Sequence, residues 1–129
     1  MKKNITILSH GQALVVLLVF MVVAITMTTM AVALLVINAN AASQVEQGDM
    51  AVAIAQSGAE NAILRLARNP GYTGETLTVD GGSATVTVTG TNPLTVTSVG
   101  TYNGFVRGVV ASASFLDTVL TVNSWQEVY

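Results

Sequence analysis

Side chains able to carry out catalysis are scarce in this sequence. His10 is the only histidine, and no acid or hydroxyl that could relay a proton stands beside it except Ser9. The absence of cysteine excludes thiol catalysis, disulfide bonds and thiolate metal sites. No serine occupies a nucleophile elbow, and no glycine-rich loop carries the Lys-Ser/Thr ending that phosphate binding requires. We therefore predict that the protein is not an enzyme.

Oxygen ligands for a metal ion are equally sparse. Asp80, Asp117 and Glu127 are the acids that could in principle meet, and Ca²⁺ would need six or more oxygens around it. Nothing in the spacing of these three carboxylates demands such a site. We expect neither a metal ion nor another cofactor.

The charge distribution favours a membrane protein with its N-terminus in the cytoplasm. Of 129 residues, 51% are apolar and only 9% are charged, against about 25% in soluble domains. The net charge of -2 offers no basic face for nucleic acid. Lys2 and Lys3 precede an apolar run, the next cation is Arg65, and the first acid is Glu46. Positive charge on the N-terminal side of a span favours the cytoplasmic side.

The apolar run extends from Ala13 to Ile37, which is 25 residues without a charge, glycine or proline. As a helix it would measure about 37 Å, enough to cross a hydrocarbon core of about 30 Å. Its polar groups are three threonines, whose hydroxyls can return to helix carbonyls or take part in helix contacts. These threonines are Thr26, Thr28 and Thr29.

Four interpretations of the run compete. A secretory signal could be cleaved at the Ala-Asn-Ala site of residues 39–41, but signal cores are about 7–15 residues long. The run could be a permanent anchor, or a buried helix, which its length disfavours. In the fourth interpretation a short leader is removed and the run stays on the mature protein.

Helical periodicity continues beyond the run and predicts one apolar stripe. The stripe consists of Val45, Gly48, Val52, Ala55, Ala59, Ala62 and Leu66. The Arg68-Asn69-Pro70-Gly71 segment should end the helix, because proline cannot continue it. The alternative is two helices with a break between Asn38 and Ser43.

From Tyr72 onward the period changes to two, with threonine and valine alternating as in strands. Turn signals at Asp80-Gly81, Asn92-Pro93 and Asn103-Gly104 separate four or five antiparallel strands, the last one starting at "LDTVLTV". We interpret Arg107 as solvent-facing or paired with an acid, and Trp125 and Tyr129 as covers for the edge of the core. So small a sheet would be marginal alone, so we expect it to pack on the stripe of the helix.

The predicted fold is therefore α+β, a long N-terminal helix packed against a small antiparallel sheet. We assign residues 1–11 to a leader, 12–37 to a transmembrane half of the helix, 38–69 to an amphipathic half, and 70–129 to the sheet. The predicted helix–sheet core consists of Val52, Ala55, Ala59, Ile63 and Leu66.

Four stretches together resemble the type IV pilin-like proteins, and among them the PilX-type minor pilins and pilus assembly proteins. These stretches are "GQALVVLLVF" at 11–20, "AIAQSGAENAILRL" at 53–66, "SVGTYNGFVRGVVA" at 98–111 and "SWQEV" at 124–128. The resemblance implies that a prepilin peptidase cuts between Gly11 and Gln12. It also implies methylation of the processed protein.

The resemblance further implies assembly through the start of the apolar helix, by the residues Ala13, Leu14, Val16, Leu17 and Phe20. The implied partners are other pilin-like subunits, the peptidase, the inner-membrane assembly machinery and the lipid bilayer. The implied destination is a cell-surface filament or a related secretion pseudopilus.

Two positions depart from the pattern of that family. Gln12 stands where Phe or Met usually begins the mature chain, and Val16 replaces a glutamate thought to pair with a neighbour's N-terminal amine. Both changes favour a minor or initiating subunit over a main one. The alternative is an uncleaved single-pass protein that displays a small β domain outside the cell for binding.

Overall fold

The computed structural model describes the backbone of residues 6–128 and the side chains of residues 11–128. One helix, α1 (Thr6–Arg68), is followed by five strands. The strands are β1 (Gly74–Val79), β2 (Gly82–Gly90), β3 (Leu94–Tyr102), β4 (Phe105–Leu116) and β5 (Val119–Val128). They form one antiparallel sheet in the order β1-β2-β3-β4-β5. This arrangement confirms the predicted α+β class.

Helix α1 is unbroken between Asn38 and Ser43, so the predicted alternative of two helices is wrong. It ends at Arg68, directly before the Asn69-Pro70 pair that was expected to stop it. The amide of Asn69 donates the last helical hydrogen bond to the carbonyl of Arg65, at 2.7 Å. Proline has no amide hydrogen with which to extend that series.

Within the helix, the chain divides into two compact units between Ala42 and Ser43. In the first unit, α1 is long and apolar enough to cross a membrane, and its most apolar window is not buried. Leucine, valine, phenylalanine and methionine side chains are exposed all around this segment. The unit therefore fits a single-pass membrane segment.

The threonines of the apolar segment satisfy their own hydroxyls. Thr26 donates to the carbonyl of Val23 at 2.9 Å, and Thr29 to that of Ile25 at 2.8 Å. Thr28 reaches the carbonyls of Ala24 and Ile25, both at 2.9 Å. Because each hydroxyl bonds within the helix, lipid can surround this stretch without leaving a polar hydrogen unpaired.

In the second unit, the Ser43–Arg68 part of α1 packs on one face of the sheet. The larger cluster of buried residues joins helix and strands through Ala62, Leu66, Val86, Leu94, Val96 and Ala111. A smaller cluster contains Ala55, Ala59 and Val109. The opposite face of β1, β2 and β3 is rich in threonine, and the Thr76 and Thr85 hydroxyls lie 3.5 Å apart across two strands.

Two-residue turns set the register of the sheet. Asp80-Gly81 and Asn103-Gly104 both have positive φ at each central residue, as a type I′ hairpin turn requires, and both stand where the sequence predicted turns. The predicted start of the last strand is wrong, because Asp117 and Thr118 form a further turn with φ of 50° and 72°. Threonine is a strand former and rarely adopts positive φ, so the local sequence gave no turn signal there.

Small side chains make the contact between α1 and β3 unusually close. A Cβ atom added at Gly58 would lie 2.5 Å from Ser98 Oγ and 2.7 Å from Ala84 Cβ. A Cβ added at Gly100 would overlap the carbonyl oxygen of Ala51. Ser98 is fully buried, and its hydroxyl has no hydrogen-bond partner among the described residues. The helix can approach the sheet this closely only where both lack side-chain bulk.

The predicted stripe and core occupy this interface unevenly. Ala55, Ala59 and Leu66 are fully buried, whereas Val52 and Ile63 are half-buried. Val45, the predicted start of the stripe, is 64% exposed. The buried face also contains residues outside the stripe, namely Ala51, Ile54 and Gly58. Gly48 and Ala62 of the stripe are buried as well, so the two valines are its less buried members, and close packing favours alanine and glycine at the centre.

Candidate functional site

The predicted cleavage site lies inside the described helix. Gly11 and Gln12 both have helical backbone and are exposed. A Cβ atom added at Gly11 would meet nothing within 4 Å, so packing does not require glycine there. Glycine costs about 1 kcal/mol relative to alanine inside a helix, which makes local unwinding easier at this peptide bond. The first five residues of the predicted leader lie outside the described part of the chain.

The first turns of the apolar segment carry a shallow groove. The groove lies on one face of the helix and is lined by Gln12, Ala13, Val16, Leu17 and Phe20. Four of the five residues predicted to mediate assembly therefore lie along one surface, and Leu14 lies outside that groove. Because Gln12 is the only polar side chain among the described residues that line the groove, an apolar helix or lipid chain fits this surface better than a charged ligand.

No acidic side chain accompanies this groove. Val16 lies one helical turn beyond Gln12, and the chain has no acid before Glu46. A positive charge placed at Gln12 would therefore have no counter-ion nearby on its own helix, because the first acid, Glu46, lies many turns away. In a chain cut after Gly11 the helix would begin at Gln12, and that charge would also lie at the positive end of the helix macrodipole.

A second cluster joins the end of α1 to β1. Arg65 Nε lies 2.8 Å from Glu75 Oε1 and 2.9 Å from Asn61 Oδ1. The Tyr72 hydroxyl donates to the same Glu75 oxygen at 3.1 Å, and the Arg65 guanidinium lies 5.7 Å from the centre of the Tyr72 ring. A half-exposed ion pair of this kind contributes about 0–1 kcal/mol. The cluster therefore fixes the helix end to the sheet, and sequence periodicity alone did not reveal it.

Titration of Tyr72 should make this cluster sensitive to alkaline pH. Burial raises the pKa of Tyr72 above its usual value near 10. The hydrogen bond to Glu75 and the negative charge of Glu75 raise this pKa further, whereas the positive charge of Arg65 lowers it. The folded protein then holds the tyrosine proton more tightly than the unfolded chain. This stabilising contribution is intact below about pH 10 and is lost as the pH rises through the folded-state pKa.

We therefore expect the free energy of unfolding to fall more steeply between about pH 9 and 12 in the natural protein than in Tyr72→Phe. Urea unfolding of both proteins across that pH range measures the two slopes. Equal slopes would show that Tyr72 does not contribute to the pH dependence.

The register of the sheet determines where the three acids considered for Ca²⁺ lie. Asp80 and Glu127 belong to the end of the sheet that holds the β1–β2 turn, whereas Asp117 is in the β4–β5 turn at the opposite end. The three acids considered for Ca²⁺ are therefore not brought together. Among the side chains of residues 11–128, no group of three or more acidic side chains could hold a metal ion.

One long-range side-chain hydrogen bond joins β5 to the helix, and the Arg107 side chain of β4 lies close to the helix as well. Gln56 Nε2 donates to Glu127 Oε1 at 2.9 Å. Arg107, predicted to be solvent-facing or paired with an acid, is half-buried on the helix side of β4, where its Nη2 would be 3.6 Å from a Cβ at Gly48. Strand alternation places Arg107 on the same face as the buried Val109. Trp125 is paired with Ala111 across β4 and β5 and is 37% exposed, and Tyr129, predicted to cover the core edge with it, lies outside the described residues.

Comparison with protein-family models, with curated proteins and with solved structures found no match for this chain.

Proposed function

We propose that this protein is a pilin-like structural subunit of a type IV pilus or a related secretion pseudopilus, in a minor or initiating role. A prepilin peptidase removes the leader after Gly11. The assembly machinery of the inner membrane then transfers the apolar helix from the bilayer into a bundle of similar helices. The sheet unit remains outside the membrane and is displayed on the filament.

The observation that supports this proposal is the exposed apolar surface of the first unit. The groove formed by Gln12, Ala13, Val16, Leu17 and Phe20 has no covering element within the described chain. In the membrane lipid covers it, and in a filament the helices of neighbouring subunits would replace the lipid. Leu, Ile, Val and Phe each favour the bilayer by roughly 0.3–0.6 kcal/mol. Packing against the helices of neighbouring subunits must therefore compensate for a loss of roughly several kcal/mol when the helix leaves the lipid.

The orientation follows from charge. Lys2 and Lys3 favour a cytoplasmic N-terminus, where the leader would be accessible to a peptidase of the inner membrane. The sheet unit then lies on the outer side of the cytoplasmic membrane. Partners are other pilin-like subunits, in homo- or hetero-oligomeric filaments.

Replacing Gly11 by valine tests the processing step. Valine adds a branched side chain at the scissile bond, and its Cβ would meet nothing within 4 Å outside the adjacent helix backbone, so we expect folding to be unchanged. We expect cleavage by a co-expressed prepilin peptidase to slow by at least tenfold, measured as the fraction of intact chain by mass spectrometry. Ala13→Val, two residues further on, is the matched control and should be cleaved normally.

A natural protein that stays intact with an active peptidase would contradict the proposal and favour the second candidate. That candidate is a permanent single-pass anchor displaying the sheet unit for binding, and Gln12 and Val16 are the residues that favour it. Uncut chain in the membrane fraction without filaments is the result expected for such an anchor. A filament containing chains that start at Gln12 is the result expected for a pilin-like subunit.

A further inference from the structure

We propose that the processed protein does not keep a free N-terminal amine, because Gln12 cyclises to pyroglutamate once the Gly11–Gln12 bond has been cut. This modification site rests on the cleavage proposed above. It removes the positive charge that cleavage creates at the start of the apolar helix.

The chemistry needs only the residue itself. The uncharged α-amino nitrogen of Gln12 attacks the side-chain amide carbon, forming the C–N bond of a five-membered lactam. The bond to the side-chain nitrogen breaks and one ammonia leaves. No electrons are transferred and no co-reactant is consumed, so the step can occur spontaneously or with a cyclase.

The surroundings of Gln12 give the reaction a physical consequence. The α-amine of a cut chain has a pKa near 8 and would be mostly protonated at neutral pH. That ammonium would lie beside Ala13, Val16, Leu17 and Phe20, in a groove that supplies no carboxylate. An uncompensated charge is unfavourable in lipid or between packed apolar helices.

Gln12 and Val16, the two departures from the resembled family, then fit each other. In the resembled family an amine and a glutamate are thought to compensate one another, and here the glutamate position holds Val16. A lactam at Gln12 makes the amine neutral as well. Neither the N-terminus of one subunit nor the position of Val16 in its neighbour then carries a charge. The positive end of the helix macrodipole no longer lies beside a cation.

The lysine distribution makes this inference directly measurable. Lys2 and Lys3 are the only lysines in the chain, and both belong to the leader. A processed chain with a free Gln12 therefore has one primary amine, and a cyclised one has none. An amine-reactive biotin ester applied to the denatured protein distinguishes the two forms.

The experiment uses the full chain co-expressed with a prepilin peptidase and extracted freshly from membranes. We expect an intact mass equal to a start at Gln12 less one ammonia, and biotin labelling at least tenfold below that of Gln12→Asn. Asparagine keeps a neutral amide but would need a strained four-membered ring, so its amine should remain. Pyroglutamyl aminopeptidase should expose Ala13 as the new N-terminus of the natural protein.

The outcomes separate this inference from the function on which it rests. A start at Gln12 with a free or methylated amine would overturn the cyclisation and leave the processing intact. An intact Met1, or a start at Ala42, would overturn both. Equal labelling of the natural protein and Gln12→Asn, at equal processing, would also exclude the lactam.

Discussion

Gly100→Ala is expected to lower the free energy of unfolding of the sheet unit by about 3 kcal/mol or more. The added methyl would overlap the carbonyl oxygen of Ala51 and come within 2.6 Å of the amide nitrogen of Ala55. Both atoms belong to the backbone of α1, so no side-chain rotation can relieve the overlap. The helix would have to move away from β3 and give up the buried contacts around it.

A loss of this size is a large share of the roughly 5–15 kcal/mol that stabilises a typical domain. It can be measured by urea unfolding of the detergent-solubilised full chain, followed by the fluorescence of Trp125, the only tryptophan. Gly108→Ala in the adjacent strand is the matched control, since its Cβ would meet Val128 O at 3.4 Å, an ordinary contact. Similar losses in both variants would contradict the proposed role of close helix approach.

Two glycines of the same helix should respond to alanine with opposite signs. At Gly48 the new Cβ would lie 3.6 Å from Arg107 Nη2, an ordinary contact distance, so the gain in helix propensity should prevail. We expect Gly48→Ala to stabilise the protein by about 0.5–1 kcal/mol. At Gly58 the new Cβ would overlap Ser98 and Ala84 from two strands, and overpacking should exceed that gain. We expect Gly58→Ala to destabilise by about 2–3 kcal/mol.

The same urea titration measures both variants, so each serves as the control for the other. If Gly58→Ala were stabilising, the helix would have to lie farther from β3 than the structure shows. If Gly48→Ala were destabilising, the Arg107 side chain would have to be held rigidly over the helix. A double variant should show nearly additive effects, because the two sites share no contacting residue.

Local sequence signals predicted the elements of this fold well. The apolar run, the proline after Arg68, and the Asn103-Gly104 turn each depend on the conformational preferences of a few neighbouring residues. The β4–β5 turn was not predicted because Asp117-Thr118 contains no glycine and lies within a segment that has the pattern of a strand. Strand β5 accordingly begins at Val119 and continues through the terminal segment.

Contacts between distant segments could not be predicted in this way. The burial of Gly58 depends on Ser98, 40 residues later, and that of Gly48 on Arg107. Periodicity identifies which side of a helix is apolar, but the sizes of the facing residues decide how close the sheet can come. The groove at Gln12 was partly predictable, because helical spacing alone aligns Val16 and Phe20 with it.

The glycine and alanine contacts between α1 and β3 also have a mechanical consequence. Gly58 and Gly100 leave no space for the Ser43–Arg68 segment to turn about its axis or slip along it, because neighbouring positions carry side chains that would collide. Rotation of this segment should therefore carry β2 and β3 with it, so that orienting the segment also orients the threonine-rich face of these strands.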